Sequence, residues 1–375
     1  MRITVAVLAA LVVLGGIGLA QSLCSYQTPE TQLEDLSISF YYRHYDDPET
    51  PGVDISSGRL FLNYNSLYDS PQLGYSLTGV GELNLAGFGF AGLAGQGSAT
   101  VRRYLAEGAP YFAFGGLESS WSSGFSQPGV EVRAGLGYGH FTDVTPMAKA
   151  VRIEGKLLAM NAIPASFPEG LLEEVARTIG AAAEYESTSE LVAALENLIE
   201  EATSVTLDAK ALLAIEDIVT EAGDRRYCGY AVQLGVGYEL LDPRGEARDF
   251  LLTLSADGAL APEPGSQLLL RASLSGPYNI MEQYTLVLTA SYDYQLNDTT
   301  TFSAEYSLRQ VKPLGQVPAG DQSAAFQLSL NLGLADVSLQ VTFSKVAEAP
   351  GWTQDLLISV GIDLGEKLAE WRKGK

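Results

Sequence analysis

Between Gln283 and Val311 the chain reads QYTLVLTASYDYQLNDTTTFSAEYSLRQV, and the alternation in this stretch leaves few folds open. From Tyr284 to Tyr294 every second residue is apolar or aromatic, and the beat resumes at Phe302, Ala304, Tyr306 and Leu308. Period two marks a strand with one face buried. Asn297-Asp298 between the two runs reads as a hairpin turn. Alternation alone does not say which face is inside. A soluble sandwich turns Leu286 and Leu288 inward, whereas a membrane barrel turns them out into lipid.

The pattern recurs along most of the chain and predicts about fourteen strands (12–16). They lie near Leu36–Asp46, Ser56–Asn65, Gln72–Asn84, Gly87–Leu105, Ala109–Trp121 and Val130–Asp143. After an interruption come Tyr227–Leu241, Arg248–Ala259, Ser266–Gly276, Met281–Leu296, Thr299–Val311, Gln322–Leu332, Val337–Val346 and Thr353–Leu364. Many exceed ten residues, more than an ordinary strand of about 5–6 and close to the roughly 9–11 that a tilted membrane strand needs. In the last five strands the face of Leu286, Tyr292, Phe326, Leu339 and Ile358 carries no charge, and the opposite face is Ser, Thr, Gln, Asp, Glu and Arg. Aromatic residues stand at strand ends, as in interfacial girdles. A soluble sandwich of fourteen such strands has long edges open for pairing; a barrel in lipid has none and satisfies every backbone group. The fold expected is therefore an all-β transmembrane antiparallel barrel with its apolar face outward.

Connections predicted after even-numbered strands are short, such as APEPG (Ala261–Gly265), LND (Leu296–Asp298) and GLAD (Gly333–Asp336). Those after odd-numbered strands are longer, such as Asp46–Ile55, Ser122–Gly129 and Lys312–Asp321, with a very short exception near Leu85–Ala86. Bacterial barrels keep short turns in the periplasm, so the even connections are assigned to that side.

From Val144 to Gly223 the period changes to that of helices. Pro146 opens one helix through Leu157-Leu158; Ser166-x-x-Glu169 and Ser187-x-x-Glu190 have capping-box form ahead of LLEEVARTIGAAAEY and LVAALENLIEEA; LDAKALLAIEDIVTEAG ends on Gly223 as C-cap. This predicts an α-helical insertion of about four helices, with 14 acidic residues against 5 basic, on the periplasmic side. Its apolar stripes either pack on one another or dock a partner or plug the pore.

At the start, Met1-Arg2, an apolar run from Ile3 to Leu19 and small residues before Gln21 read as a secretory signal peptide cleaved after Ala20. Leu23 before Cys24 is too large for lipoprotein processing. The organisation expected is 1–20 signal peptide, 21–35 periplasmic arm, 36–143 strands 1–6, 144–223 helical insertion, 224–365 strands 7–14 and 366–375 tail. A formal charge of −22 argues against nucleic acid, and a slightly positive mean hydropathy with 39 glycines is unusual for a soluble secreted chain.

The side chains assigned to the lumen are Arg43, Arg59, Glu82, Glu131, Arg133, Glu239, Asp257, Arg271, Asp293, Glu305, Arg309 and Asp363. They either pair across the wall and fill the interior or line a water-filled passage and set its selectivity. Barrels of about 8 strands are filled and those of 16–18 hold a channel, so fourteen lies between. Cys24 and Cys228, the only cysteines, both fall at the periplasmic end. Outside the cytoplasm they are either bridged, pinning the arm, or two separate thiols. His44 and His140 fall at opposite rims with no serine partner, so they give neither a catalytic triad nor a metal site; no enzyme, metal or cofactor is expected.

In its signal peptide, alternating strands, aromatic strand ends and closing strand, the chain resembles bacterial outer-membrane β-barrel proteins of porin-like type. The segment GLGYGHFTDVTPMAKAVRIEGKLL (Gly135–Leu158) is similar to one found in an uncharacterised family of such barrels with a helical insertion. The last strand ends at Leu364, with Trp371 in the tail, where such barrels usually end on an aromatic residue. The resemblance implies outer-membrane lipid and the barrel insertion machinery as partners. The expected function is a passive channel for small hydrophilic solutes, gated or plugged by the insertion. The alternative is a structural anchor presenting an acidic helical module to a periplasmic or envelope protein.

Overall fold

The structure, a computed structural model, describes residues 23–26, 28, 30–45, 55–87, 89–221, 225–243, 245, 250–297, 299–331, 335–345 and 351–362. The signal-peptide segment, Gly223, Asp363 and Trp371 lie outside the described residues, as do the side chains of Arg43 and His44. Among the described residues fourteen strands are formed: β1 (Thr31–Tyr45), β2 (Ile55–Asp69), β3 (Leu73–Ala86), β4 (Gly89–Tyr104), β5 (Tyr111–Ser122), β6 (Gly129–Asp143), β7 (Tyr227–Leu241), β8 (Phe250–Leu260), β9 (Ser266–Pro277), β10 (Tyr284–Asn297), β11 (Thr300–Lys312), β12 (Ala319–Asn331), β13 (Ala335–Lys345) and β14 (Thr353–Ile362). They make one sheet in which each strand pairs with its neighbours in chain order, every pair antiparallel. The architecture is the expected all-β, up-and-down antiparallel barrel fold with a helical insertion; among the described residues no ladder joins β14 back to β1.

The registers show what the alternation does once strands are paired. Leu136 on β6 faces Leu234 on β7, which faces Leu254 on β8, then Leu274 on β9 and Leu286 on β10. Five strands thus place a leucine row at one level of one face. The opposite face carries Thr253, Ser275 and Thr285 in the same ladders. A one-residue slip in any pair would move a leucine to the polar side, so the pattern itself fixes the register.

Strand boundaries differ from the pattern in several places: β1 already starts at Thr31, inside the expected arm, and β2 runs on to Asp69 rather than stopping near Asn65. Met281 lies in a turn before β10, not in the strand, and is 79% exposed. β12 begins at Ala319, so Asp321 belongs to the strand rather than to the preceding loop. The short link after β3 is real: β3 and β4 are joined by a tight turn at Gly87, whose φ of +61° suits glycine.

Between β6 and β7 the chain folds as α1 (Thr145–Ala159), α2 (Leu171–Gly180), α3 (Thr188–Thr203) and α4 (Ala209–Thr220), with a 3-10 turn at Ala182–Glu184. Ser187 caps α3, accepting from the Glu190 N–H, while the Glu190 carboxylate accepts from the Glu186 N–H. Asp208 caps α4 in the same way through the Ala211 N–H. The expected cap at Ser166 does not form. Pro168 and Gly170 make a turn first, α2 starts at Leu171, and the Phe167 N–H goes instead to the Glu154 carboxylate on α1. The helix faces bury one another: Ile153, Leu157, Val175, Leu195, Ile199 and Ile215 form a single core, which reaches the sheet through Cys228 and Ala261.

Cys24 and Cys228 are joined by a disulfide across 204 residues, with Cα atoms 5.4 Å apart. Leu23, beside it, is buried in the helical core. Cys228 pairs with Thr142 on β6. The bridge borders an apolar groove of about 250 Å³ shared with Tyr230, Leu268 and Leu270. A crosslink closing so long a loop strongly restricts the unfolded chain. Changing Cys228 to Ser is expected to lower stability by roughly 2–5 kcal/mol; urea unfolding with and without reductant measures it, and wild type plus reductant should match the variant.

Candidate functional site

The charged side chains of the polar face come together in ladder neighbours. Arg59 on β2 reaches Glu82 on β3 at 3.1 Å, and Arg271 on β9 reaches its direct partner Asp257 on β8 at 2.8 Å. On β6 Arg133 binds Glu131 at 2.7 Å and also Glu118 on β5. Glu118 was missed by sequence reasoning although the alternation of β5 puts it in phase with Glu131. On this face the carboxylates Glu131 and Asp257 are the sheltered partners, 15% and 21% exposed, while Arg59 and Arg271 are 62% and 60% exposed. Asp293, Glu305 and Arg309 extend the same face across β10 and β11, where Ser291 pairs with Glu305 and Asp293 with Ser303. Glu239 pairs with Glu131 across β6 and β7. Ion pairs held on a ladder fix the polar face without leaving a bare charge against it.

Sequence reasoning also missed a second group, at the end of the sheet where β1, β3 and β5 begin and β2, β4 and β6 finish. β6 extends past the start of β5, so residues 140–143 have no β5 partner. Thr31, the first residue of β1, and Asp69, the last of β2, cover that edge. The Thr31 hydroxyl accepts from the Asp143 N–H at 3.0 Å and donates to the Phe141 carbonyl at 3.4 Å. The Asp69 carboxylate, 1% exposed, accepts from the Phe141 N–H at 3.3 Å and from the Tyr104 hydroxyl at 2.9 and 3.0 Å. His140 Nδ1 lies 3.0 Å from both the Tyr104 oxygen and the Asp69 carboxylate. The first six strands are thereby drawn together at this rim, and the space between them is filled. Phe112 and Phe114 on β5 and Arg102 and Tyr104 on β4 are all buried.

Glycines make that filling fit. Phe112 faces Gly137 and Phe114 faces Gly135 across the β5–β6 ladder, and a Cβ at either glycine would run into the ring. Gly139 on β6 and Gly229 on β7 have φ of +126° and +123°, and a Cβ there would overlap the carbonyl oxygens of Tyr230 and His140. These two positions turn the ends of β6 and β7 where the helical insertion begins and finishes.

A further polar knot fastens the insertion. The Arg226 N–H donates to the Thr145 hydroxyl at 2.8 Å, the Val144 N–H donates to the Arg226 carbonyl, and Arg226 Nε donates to the Pro264 carbonyl. Gln267 clamps the start of β7, accepting from the Tyr227 N–H and donating to its carbonyl. Lys149 donates to the carbonyls of Val219 and Glu221 at the end of α4.

The outward face has its own order. Tyr111, Tyr138 and Tyr230 touch at one end of β5–β7, with centroids 5.0 and 6.0 Å apart. Tyr238 and Phe250 touch at the other end, 4.9 Å apart. Tyr230 and Tyr238 are eight residues apart on β7, about 27 Å along a strand. Among the described residues no group of three or more His, Cys, Asp or Glu is placed to hold a metal.

No protein-family model matches the chain, and no curated protein is similar to it in sequence. Among solved structures it is similar to a BenF-like porin from Pseudomonas fluorescens Pf-5, at 7% identity and a TM-score of 0.33, over 90% of this chain and 99% of that one. At that degree of likeness the fold rests on the strand order and registers themselves.

Proposed function

We propose that this protein is an outer-membrane β-barrel of porin-like type, a passive passage for small hydrophilic solutes. The observation that carries the reading is the leucine row on one face, bounded by aromatic pairs at both strand ends, with ion-paired charges on the other. Lipid is the solvent that such an outside requires, and water is the natural content of a ladder of Arg, Asp, Glu, Ser and Thr. The passage runs along the polar faces of β7–β14, because the first six strands are filled at one rim by Phe112, Phe114 and Tyr104. On this reading the rim with the shorter turns and the helical insertion is periplasmic.

The insertion is an accessory to the passage, fastened to the β6 and β7 ends and by the arm disulfide. The mutual burial of its helix stripes favours a self-contained acidic module over a plug that needs the lumen to cover it. A second reading, an anchor presenting that module to an envelope protein, draws on the same observation. Purified full-length protein in planar bilayers separates them: discrete conductance steps are expected, unchanged in size when residues 146–221 are replaced by a short linker. A barrel that inserts but stays silent at every voltage overturns the passage, and larger steps after deletion would make the insertion a plug.

A further inference from the structure

On β8 the face of the leucine row loses its side chains towards the end that meets the insertion: Leu254 is followed by Ala256 and then by Gly258. Gly258 is paired with Tyr230 on β7 and with Leu270 on β9, which stand as walls on either side of it. Leu260 and Leu268 form the next pair on this face, and the Cys24–Cys228 bridge closes that end. The groove of about 250 Å³ beside the bridge is this hollow, and none of the residues lining it is charged. Neither crowding nor a turn demands the glycine. A Cβ at Gly258 would meet only the Leu270 Cβ, at 3.9 Å, an ordinary contact, and its φ is not in the left-handed region. Glycine inside a strand weakens it, and often marks a place where another molecule comes close to the backbone.

The hollow continues the face of Leu234, Leu254 and Leu274, so whatever covers those leucines reaches it without crossing a charged boundary. Ala256 and Ala272, paired with each other one step nearer the leucine row, keep the wall low in that direction. From Ala256 to Leu260 is about 14 Å along the strand, close to the depth of one leaflet, about half of a ~30 Å hydrocarbon core. Strands of such barrels tilt by about 35–45°, so a trough along β8 admits a lipid chain lengthwise. Its lower end lies level with the Tyr138–Tyr230 contact, the level at which aromatic girdles meet headgroups. We infer that one acyl chain of a phospholipid, in the leaflet next to the helical insertion, is held over Gly258 between Tyr230 and Leu270 and against the arm disulfide. The inference deepens the membrane reading by making one part of the wall a site that retains its lipid; it rests on that reading for which face meets lipid.

The test uses the full-length protein folded into phosphatidylcholine vesicles that contain a phospholipid with a diazirine on one acyl chain, followed by photolysis and peptide mapping. In the wild type, crosslinks at Tyr230 and Leu268 should exceed those at Leu234 and Leu254 by roughly five-fold and should saturate as the probe is raised. Gly258→Leu, which fills the hollow with a side chain, should insert as the wild type does and lose that excess, with the labelling of Leu234 and Leu254 unchanged. Leu270→Trp, filling the hollow from its wall, should lose it too, and decides the matter if Gly258→Leu does not insert. An excess that survives in an inserted variant, or even labelling of hollow and leucine row in the wild type, overturns the site and leaves the lipid-facing reading standing. A leucine row without crosslinks removes that reading itself. Displacement of the probe by equimolar oleate would make the occupant a free fatty acid and overturn the phospholipid.

Discussion

Leu234→Arg is expected to abolish or severely impair stable insertion, whereas Ser255→Arg, one ladder pair away on the opposite face, should insert almost normally. Leu234 stands in the middle of the leucine row, between Leu136 and Leu254, and is 56% exposed. In water an arginine at so exposed a position would cost almost nothing. At the midplane of a bilayer it costs roughly 2–4 kcal/mol, while a lumen substitution changes selectivity instead. Ser255 pairs with Gln233 and Ser273 on the polar face. Folding into vesicles, read by the heat-modified gel shift and by urea titration, gives the comparison. Equal behaviour of the two variants would remove the lipid from the account.

Asp69→Ala should be nearly as damaging, by a different route. The carboxylate is 1% exposed and serves two donors, the Tyr104 hydroxyl and the Phe141 N–H, with His140 beside it. Alanine leaves both donors buried without an acceptor, and each such group costs about 1–3 kcal/mol. A loss of roughly 2–5 kcal/mol is expected. Asp69→Asn keeps the shape and one acceptor oxygen, so its loss should be smaller. Urea midpoints of the three proteins in one lipid give the ranking. If Asp69→Ala unfolds where the wild type does, β1 and β2 are not held to the end of β6 by this cluster.

The two variants also mark what the sequence revealed and what it did not. Alternation is a local signal, and the strands with clean alternation, such as Tyr227–Leu241, form over that same span. The change of period at Val144 is local too, and Ser187 with Glu190 announced its cap correctly. Ser166 looked identical as a string of four residues, yet Pro168 and Gly170 turned the chain before a helix was able to start. Arg102 and Tyr104 lie at the end of the glycine-rich β4, where few large side chains mark the two faces. The cluster of Asp69, Tyr104, His140 and Phe141 gathers residues up to 72 positions apart along the chain. Only the curl of six strands brings them together, and no spacing in the sequence encodes that curl. Charge pairs such as Asp257–Arg271 are intermediate, since the register that joins them follows from the leucines on the other face.

Spin labels placed one at a time from Tyr230 to Tyr238 on β7, in the full-length protein folded into vesicles, test most directly which side of the wall meets lipid. Collisions with oxygen, which dissolves in hydrocarbon, should peak at 232, 234 and 236. Collisions with a water-soluble nickel chelate should peak at 233, 235 and 237. The opposite phase, or a profile dominated by the nickel chelate at all nine positions, would contradict the account.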